Sequence, residues 1–344
     1  MAQKASIHVV MFVTVALTAG SGPVLADSAR PVKRPANGEK SSEGQKVFWS
    51  DPGDIAARNL IYGQGGKEHQ PAAGDFEFTK EDMNATSPKF DVKDANGNKW
   101  KVKLGDEARP ETVATRLVWA VGFHTDEDYF LPALRVQGMP AHTHRGRQFI
   151  DADGTMRNAR LERSIPGQKK LGDWKWSDGL YTGTREWNGL RVLMALINNW
   201  DLKDVNNSIY SEKDGELVYV VSDLGASFGP TKLDLGHGHD KGDLNKYRQT
   251  KFVRKSDQEF VDFTVPGAPS PIMLVTFRDY FVRRHMVWIG REIPVEDARW
   301  MGSLLARLSG GQIRDAFRAG GYSPAEVDEF AALVEKRIAA LNNL

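Results

Sequence analysis

Cysteine is absent from all 344 residues, which excludes a disulfide framework and a lipid-anchored lipoprotein and leaves stability to an ordinary core. No charge of one sign dominates: 46 lysines and arginines stand against 45 aspartates and glutamates, a formal net charge of +1. The balance marks no nucleic-acid surface and no anionic-membrane surface. Long apolar runs are missing too. The N-terminal run over residues 7–17 falls short of the roughly 20 apolar residues that a membrane span needs.

What is present at that end has the order of an export leader: Lys4, the short apolar run, then Val24-Leu25-Ala26 before Asp27. Cleavage is expected after Ala26, which makes residues 1–26 a signal peptide, the location periplasmic or secreted, and the mature chain free of a stable membrane span. An uncleaved anchor helix fits less well, because the run is short and no basic cluster follows it directly. Residues 27–47, rich in Pro, Lys, Ser, Gly and Glu, have the composition of a disordered tail.

Hydrophobic residues make up 40% of the chain and charged residues 26%, as in globular proteins. The sequence carries no internal repeat. Strands are expected over 76–78, 89–92 and 99–104, and Asp94-Ala95-Asn96-Gly97-Asn98 has the turn chemistry to join the last two as a hairpin. A short helix or strand over 54–62 leads to Gly63-Gln64-Gly65-Gly66. Pro110 opens a helical pattern carried by Val113, Leu117, Ala120 and Val121. Further strands are expected over 134–136 and 159–165. The connection 167–183 breaks the pattern and divides an N-terminal part, 48–166, from a helical part, 167–344. In the second part an apolar helix over 190–197 precedes a hairpin of 208–210 and 217–221. A long loop follows over 226–248, and then helices over 294–308, 311–318 and 324–341. Ser323-Pro324-Ala325-Glu326 is a capping box that fixes the last helix start.

The chemistry concentrates in two segments, Asn198-Asn199-Trp200-Asp201-Leu202-Lys203-Asp204-Val205-Asn206-Asn207 and Val220-Val221-Ser222-Asp223-Leu224-Gly225. A loop after an apolar helix exposes Asp201 and Asn206, and a returning hairpin sets Asp223 at the end of a buried strand. Phosphoryl transfer uses such a set: one carboxylate orients the attacking hydroxyl, while an amide and a second carboxylate hold magnesium against the phosphates. Asp201-Leu202-Lys203 with Asn206, followed by Asp223-Leu224-Gly225, resembles the catalytic-loop and metal-binding motifs of the protein-kinase-like superfamily. Upstream, Trp100-Lys101-Val102-Lys103 resembles that family's lysine strand, and Glu111 stands at the start of the next helix, where the family's lysine-pairing glutamate lies.

The resemblance spans roughly residues 75–290 and is closer to the atypical branch of lipid kinases, bacterial toxin kinases and secretory-pathway kinases. It implies a bilobal α+β fold with a strand-rich N-lobe and a mainly helical C-lobe. It also implies bound ATP or another nucleotide with Mg2+, and an acceptor that is a protein or a small molecule. Asp201 would orient the acceptor, Asn206 and Asp223 would hold metal, Lys103 would meet the phosphates and Glu111 would hold Lys103. Lys101 competes with Lys103, since alternate strand residues share a face. Departures are also visible. Asn199-Trp200 stands where the family has His-Arg, no Gly-x-Gly-x-x-Gly lies between the first two strands, and no Ala-Pro-Glu follows. A catalytically inactive pseudokinase, acting as a binding or scaffold protein, is the alternative function.

Three lesser features complete the survey. His237-Gly238-His239 with Asp234 and Asp240 has metal-ligating residue types on a glycine-flexible loop, as do His142 and His144. Arg283-Arg284-His285 is a short basic cluster, and Trp174 with Trp176 is expected to pack the junction of the two parts.

Overall fold

The computed structural model describes residues 44–83, 87–177, 179–212, 214–230, 241–264 and 284–344. In chain order the strands are Lys46–Val47 (β1), Phe76–Asp82 (β2), Lys89–Lys93 (β3), Lys99–Leu104 (β4), His124–Thr125 (β5), Asp128–Gln137 (β6) and Thr155–Arg163 (β7). Lys169–Gly172 (β8), Asn207–Ser211 (β9), Leu217–Val221 (β10), Val253–Ser256 (β11), Phe260–Phe263 (β12) and Ile293–Pro294 (β13) follow. The helices are Ala108–Ala120 (α1), Arg185–Leu196 (α2), Leu244–Gln249 (α3), Val295–Leu305 (α4), Gly310–Ala319 (α5) and Pro324–Asn342 (α6). Strands therefore dominate early and helices late, in the α+β arrangement expected from the sequence.

Strand alternation explains the first layer. Phe90 and Val92 on β3, Trp100, Val102 and Leu104 on β4, and Ala159 and Leu161 on β7 all point inward and form one buried core. The sheet β2-β3-β4-β7-β6 closes on itself as a barrel around them, with β2 completing the ring in parallel to β6 through Phe76 opposite Val136 and Glu77 opposite Gln137. Asp94 fixes the β3–β4 turn. Its carboxylate accepts from the amides of Asn96 and Asn98 and from the Trp100 indole at 2.9–3.0 Å, while Gly97 takes φ +80°.

The residues between the apolar ones must face outward, and register places them in two rows. Lys89, Lys103, Arg160 and Phe130 lie opposite one another across β3, β4, β7 and β6; beside them run Asp91, Lys101, Glu162 and Asp128. A second sheet, β1-β10-β9-β8, carries β5 on the same edge of β10 as β1. Because β5 and β10 run in parallel, both deliver their C-terminal ends, and so Asp126 and Asp223, to one side.

A separate and larger core joins α1 and α2 to the late helices and to Phe48, Ile55 and Leu60. Its centre is aromatic: Phe317 and Phe330 stack at 5.0 Å, with Phe228 and Tyr322 each edge-on to both. Removal of a ring as buried as Phe330 carries a cost of about 3–5 kcal/mol. Ser309 and Ser323 both form full capping boxes, at α5 and α6.

Several elements differ from the sequence expectation. Lys46 and Val47 belong to the stretch 27–47 marked for disorder, yet they pair in parallel with Leu217 and Val218, a non-local contact that composition does not encode. The break over 167–183 contains β8. Helix α2 starts at Arg185, ahead of the expected 190, because Thr184 caps it by accepting from the Trp187 amide. Within the loop expected over 226–248, Ser227 and Phe228 are fully buried and residues from Leu244 form α3; residues 231–240 lie outside the described residues. Among the described residues no helix is long and apolar enough to cross a membrane.

Candidate active site

Lys103 faces outward from the barrel on β4, but α1 and the end of β10 cover it, and only 1% of it stays exposed. A turn at Gly105, φ +102°, lets the chain reverse into α1, and Glu107, at its N-cap, and Glu111, in its first turn, lie one helical turn apart on a single face. The Lys103 ammonium donates to Glu111 Oε2 at 2.8 Å and to Asp223 Oδ1 at 2.6 Å, and lies 3.1 Å from Glu107 Oε2. Lys101, on the same side of β4, is exposed, so the structure gives Lys103 the glutamate partner. Asp223 takes a left-handed backbone, φ 49°, as β10 ends. Gly225 then passes so close to α1 that a Cβ there would sit 2.6 Å from the Glu107 Cβ. The Asp-Leu-Gly order thus has a local steric reason.

Asp201 is positioned by the end of α2. Asn198 reverses the chain at φ 54°, and its side chain donates to Gly229 O at 2.7 Å and accepts from Arg337 of α6 at 2.6 Å. Asn199, buried where the resembled family has histidine, accepts the Asp201 amide at 2.9 Å. Lys203 pairs with the Asp201 carboxylate at 2.9 Å, and the Asn206 amide donates to the Asp201 carbonyl. Trp174 and Trp176 brace this loop from the second core: Trp176 N donates to Asp204 at 3.1 Å, and the Trp174 indole to Val220 O at 2.8 Å.

Lys103, Glu111, Asn206 and Asp223 all line one cavity of about 150 Å³. Asp201 does not line it. Instead, Asp201 lines a smaller neighbouring cavity, and Asn206 and Ser222 form part of both walls. Four of the five predicted residues therefore converge, and the fifth lies next to them behind Asn206.

Further residues belong to the site that sequence reasoning did not single out. Arg160, 3% exposed, lies opposite Lys103 and bonds Glu111 at 3.2 Å, Asp128 at 2.8 Å and Glu162 at 2.8 Å. Glu107 takes bonds from Lys103, Ser87 and Lys241. Asp126 enters the cavity wall from the end of β5. The spacing Glu107-x-x-x-Glu111 and the alternation of Arg160 and Glu162 were available in the sequence, but the register that gives them meaning spans 57 residues.

Charge in this cluster is uneven, and the carboxyl groups respond in opposite ways. Burial favours the neutral forms throughout. For Glu107 the Lys103 and Lys241 ammonium groups overcome it and hold the carboxyl well below its ordinary range, and Lys103 does the same, less strongly, for Asp223. Burial prevails at Asp126, reinforced by Glu162 and Asp128, and raises its carboxyl. Desolvation also favours a neutral Lys103, yet Glu111, Asp223 and Glu107 together keep its ammonium above the usual lysine range.

At Glu111, burial outweighs Arg160 and Lys103 and pushes the carboxyl up from 4.5 to about 7. A carboxyl raised on folding binds more protons folded than unfolded, so its contribution to stability is complete below about pH 4.5 and is lost as pH rises towards 7. Half-buried His124, lowered by desolvation, gives the opposite slope, so the informative quantity is a difference. Chemical denaturation of Glu111→Gln and wild type is expected to show the variant relieved of a loss approaching about 1.4 kcal/mol per pH unit on the way to pH 7. Parallel pH profiles for the two would exclude a protonated Glu111.

Asp126, Asp223 and the Asn206 side chain offer hard oxygen donors around the cavity, the donor type that suits Mg2+. A carboxyl raised by neighbouring carboxylates is also a place where a divalent cation relieves repulsion. Glu107, Glu111 and Asp223 have ligand atoms within 4.8 Å of one another, but the Lys103 ammonium already bonds to all three. The other candidates separate from the site. His144 pairs with Glu81 at 3.2 Å while His142 is exposed, and the cluster of His237, His239, Asp234 and Asp240 lies outside the described residues, as does Arg283. Gly63 and Gly65 pack against Arg116 and Tyr129, away from the cavity wall.

No family model matches the chain, and no curated protein matches it. Among solved structures it is similar to the Helicobacter pylori proinflammatory kinase CtkA, at 10% identity and TM-score 0.44, over 78% of this chain and 95% of that one. It is similar also to the Golgi casein kinase, at 9% identity and TM-score 0.38, over 78% of this chain and 72% of that one. A structure of the Golgi casein kinase with Mn/ADP bound matches at 10% identity and TM-score 0.37, over 78% and 71%.

Proposed function

We infer that the chain is a phosphotransferase, moving a phosphoryl group from a divalent-cation-bound donor, ATP with Mg2+ by expectation, to a protein or small-molecule acceptor. One observation carries the reading: the Lys103 ammonium is held between Glu111 at 2.8 Å and Asp223, 120 residues away, at 2.6 Å, on a cavity that Asn206 also lines. Lys103 is a fixed cation for donor phosphates, and Glu111 with Arg160 keeps it in place. Asp223 and Asn206 would hold the metal, and Asp201, next door, orients the acceptor hydroxyl and takes its proton. The cation, when bound, neutralises phosphate charge.

Thermal denaturation tests this. Mg2+ and ATP together are expected to raise the melting temperature of the purified chain, equivalent to about 2.7 kcal/mol at 100 times Kd. Asp223→Asn is expected to lose the rise; asparagine is the apt replacement because it tolerates the left-handed backbone of this position. Unchanged melting of wild type with every polyphosphate tried would remove the reading. Transfer of labelled phosphate separates an enzyme from a scaffold that binds without turnover.

The same reading includes export. The order of Lys4, the apolar run and Val24-Leu25-Ala26 supports cleavage after Ala26 and a periplasmic or secreted location, and intact mass is expected to show Asp27 as the first residue. A purified extracytoplasmic protein that retains Met1 would refute this.

A further inference from the structure

We propose that the cleft recognises its donor by the polyphosphate chain alone and leaves the remainder of the donor outside, so that inorganic polyphosphate binds as ATP does. The inference rests on the phosphotransferase reading and concerns which part of the donor is bound.

The barrel supplies the reason. Ligand pockets for drug-sized molecules typically enclose about 300–1,000 Å³ and are mostly apolar. This cavity measures about 150 Å³, and among the described residues only Val205 and Tyr210 bring substantial apolar surface to it. A purine ring needs a flat apolar slot, and the strands beside the cleft have none to give. Their apolar side chains, Phe90, Val102, Leu104, Ala159 and Leu161, all point into the closed barrel and are consumed by its core. Phe130, at the end of the outward row, packs against Gly321 and does not line the cavity, so what these strands bring to it is charge.

That charge has the form a phosphate chain requires. Register sets Lys89, Lys103 and Arg160 side by side across three strands, and Lys101 lines the same cavity one pleat away. Like charges directly opposite on a sheet are destabilising, so carboxylates must offset a row of three cations, and Glu162 and Asp223 also attract Lys89. Glu111, Glu162 and Asp223 offset the inner two. Lys89 completes a row along which successive phosphates can lie, and Asp126 and Asp223 on the same cavity would hold a divalent ion. With tripolyphosphate as donor the acceptor oxygen forms a bond to the terminal phosphorus, the bridging P–O bond breaks, and pyrophosphate leaves with the electron pair. The acceptor's proton passes to Asp201 and then to solvent.

Titration calorimetry of the full chain in Mg2+ with tripolyphosphate, ATP, GTP and adenosine decides the matter. Expected are dissociation constants for the first three within about tenfold of one another and no binding of adenosine alone. Lys89→Ala is expected to weaken all three by a common factor. ATP binding more than about tenfold tighter than both GTP and tripolyphosphate would overturn the inference while sparing the phosphotransferase reading. Failure of all three to bind would overturn both. A Lys89→Ala effect confined to one ligand would also count against recognition through the shared chain.

Discussion

Arg160→Met is expected to cost about 3–5 kcal/mol of folding stability, the loss seen when one partner leaves a buried ion pair. Methionine matches the aliphatic length of arginine but strands the carboxylates that the guanidinium holds, Glu111 at 1% and Asp128 at 0% exposure, together with Glu162. Solvent cannot take over, because the barrel lies on one side and α1 on the other. The measurement is urea denaturation at neutral pH, read as a midpoint shift with unchanged slope. The double variant Arg160→Met with Asp128→Asn is expected to recover part of the loss, since it removes one of the abandoned charges, and the cycle isolates that coupling. A loss below about 1 kcal/mol would show that the cluster is not held together by this guanidinium.

Asp201→Asn is expected to behave in the opposite way, lowering kcat by about 10²–10⁴-fold while leaving stability within about 1 kcal/mol. Asparagine keeps the shape and loses the proton-accepting charge. Its ion-pair partner Lys203 has a side chain 34% exposed, so the pair is weak and screened, and the loop is fixed instead by the Asp201 amide donating to Asn199 and the Asn206 side chain donating to the Asp201 carbonyl. The discriminating result is the ratio. Unchanged kcat would take Asp201 out of the chemistry, whereas a parallel collapse of stability and turnover would make it a structural residue.

The contrast between these two positions also tells how far the sequence could be read. Asp201 belongs to a motif only six residues long, so its spacing to Asn206 is visible without a fold, and the same is true of Asp223-Leu224-Gly225. Lys103 and Glu111 are eight residues apart on adjoining elements, and strand parity narrowed the lysine to two. Arg160 has no such local signature. Its role depends on the β4–β7 register, the closure of the barrel and the covering of both by α1, and an arginine in an alternating strand is otherwise an ordinary outward residue. Asp126 is hidden for a similar reason: it reaches the cavity only because β5 pairs in parallel with β10. Element boundaries failed where a side-chain cap or a distant pairing set them, as at Thr184 and at Lys46–Val47, and succeeded where the cap was written locally, as at Ser323.

Closure of the barrel also governs how other chains can approach. With β2 joined to β6, the ring offers no terminal strand onto which a neighbouring backbone could add. In the second sheet β1 and β5 occupy one margin of β10, which leaves β8 as the outermost strand on the opposite side among the described residues. That strand is four residues long, irregular in its pairing with β9, and carries Lys169 and Lys170, three features that discourage templated assembly. Any extended chain adding as a strand to these two sheets would have to overcome those defences at Lys169–Gly172.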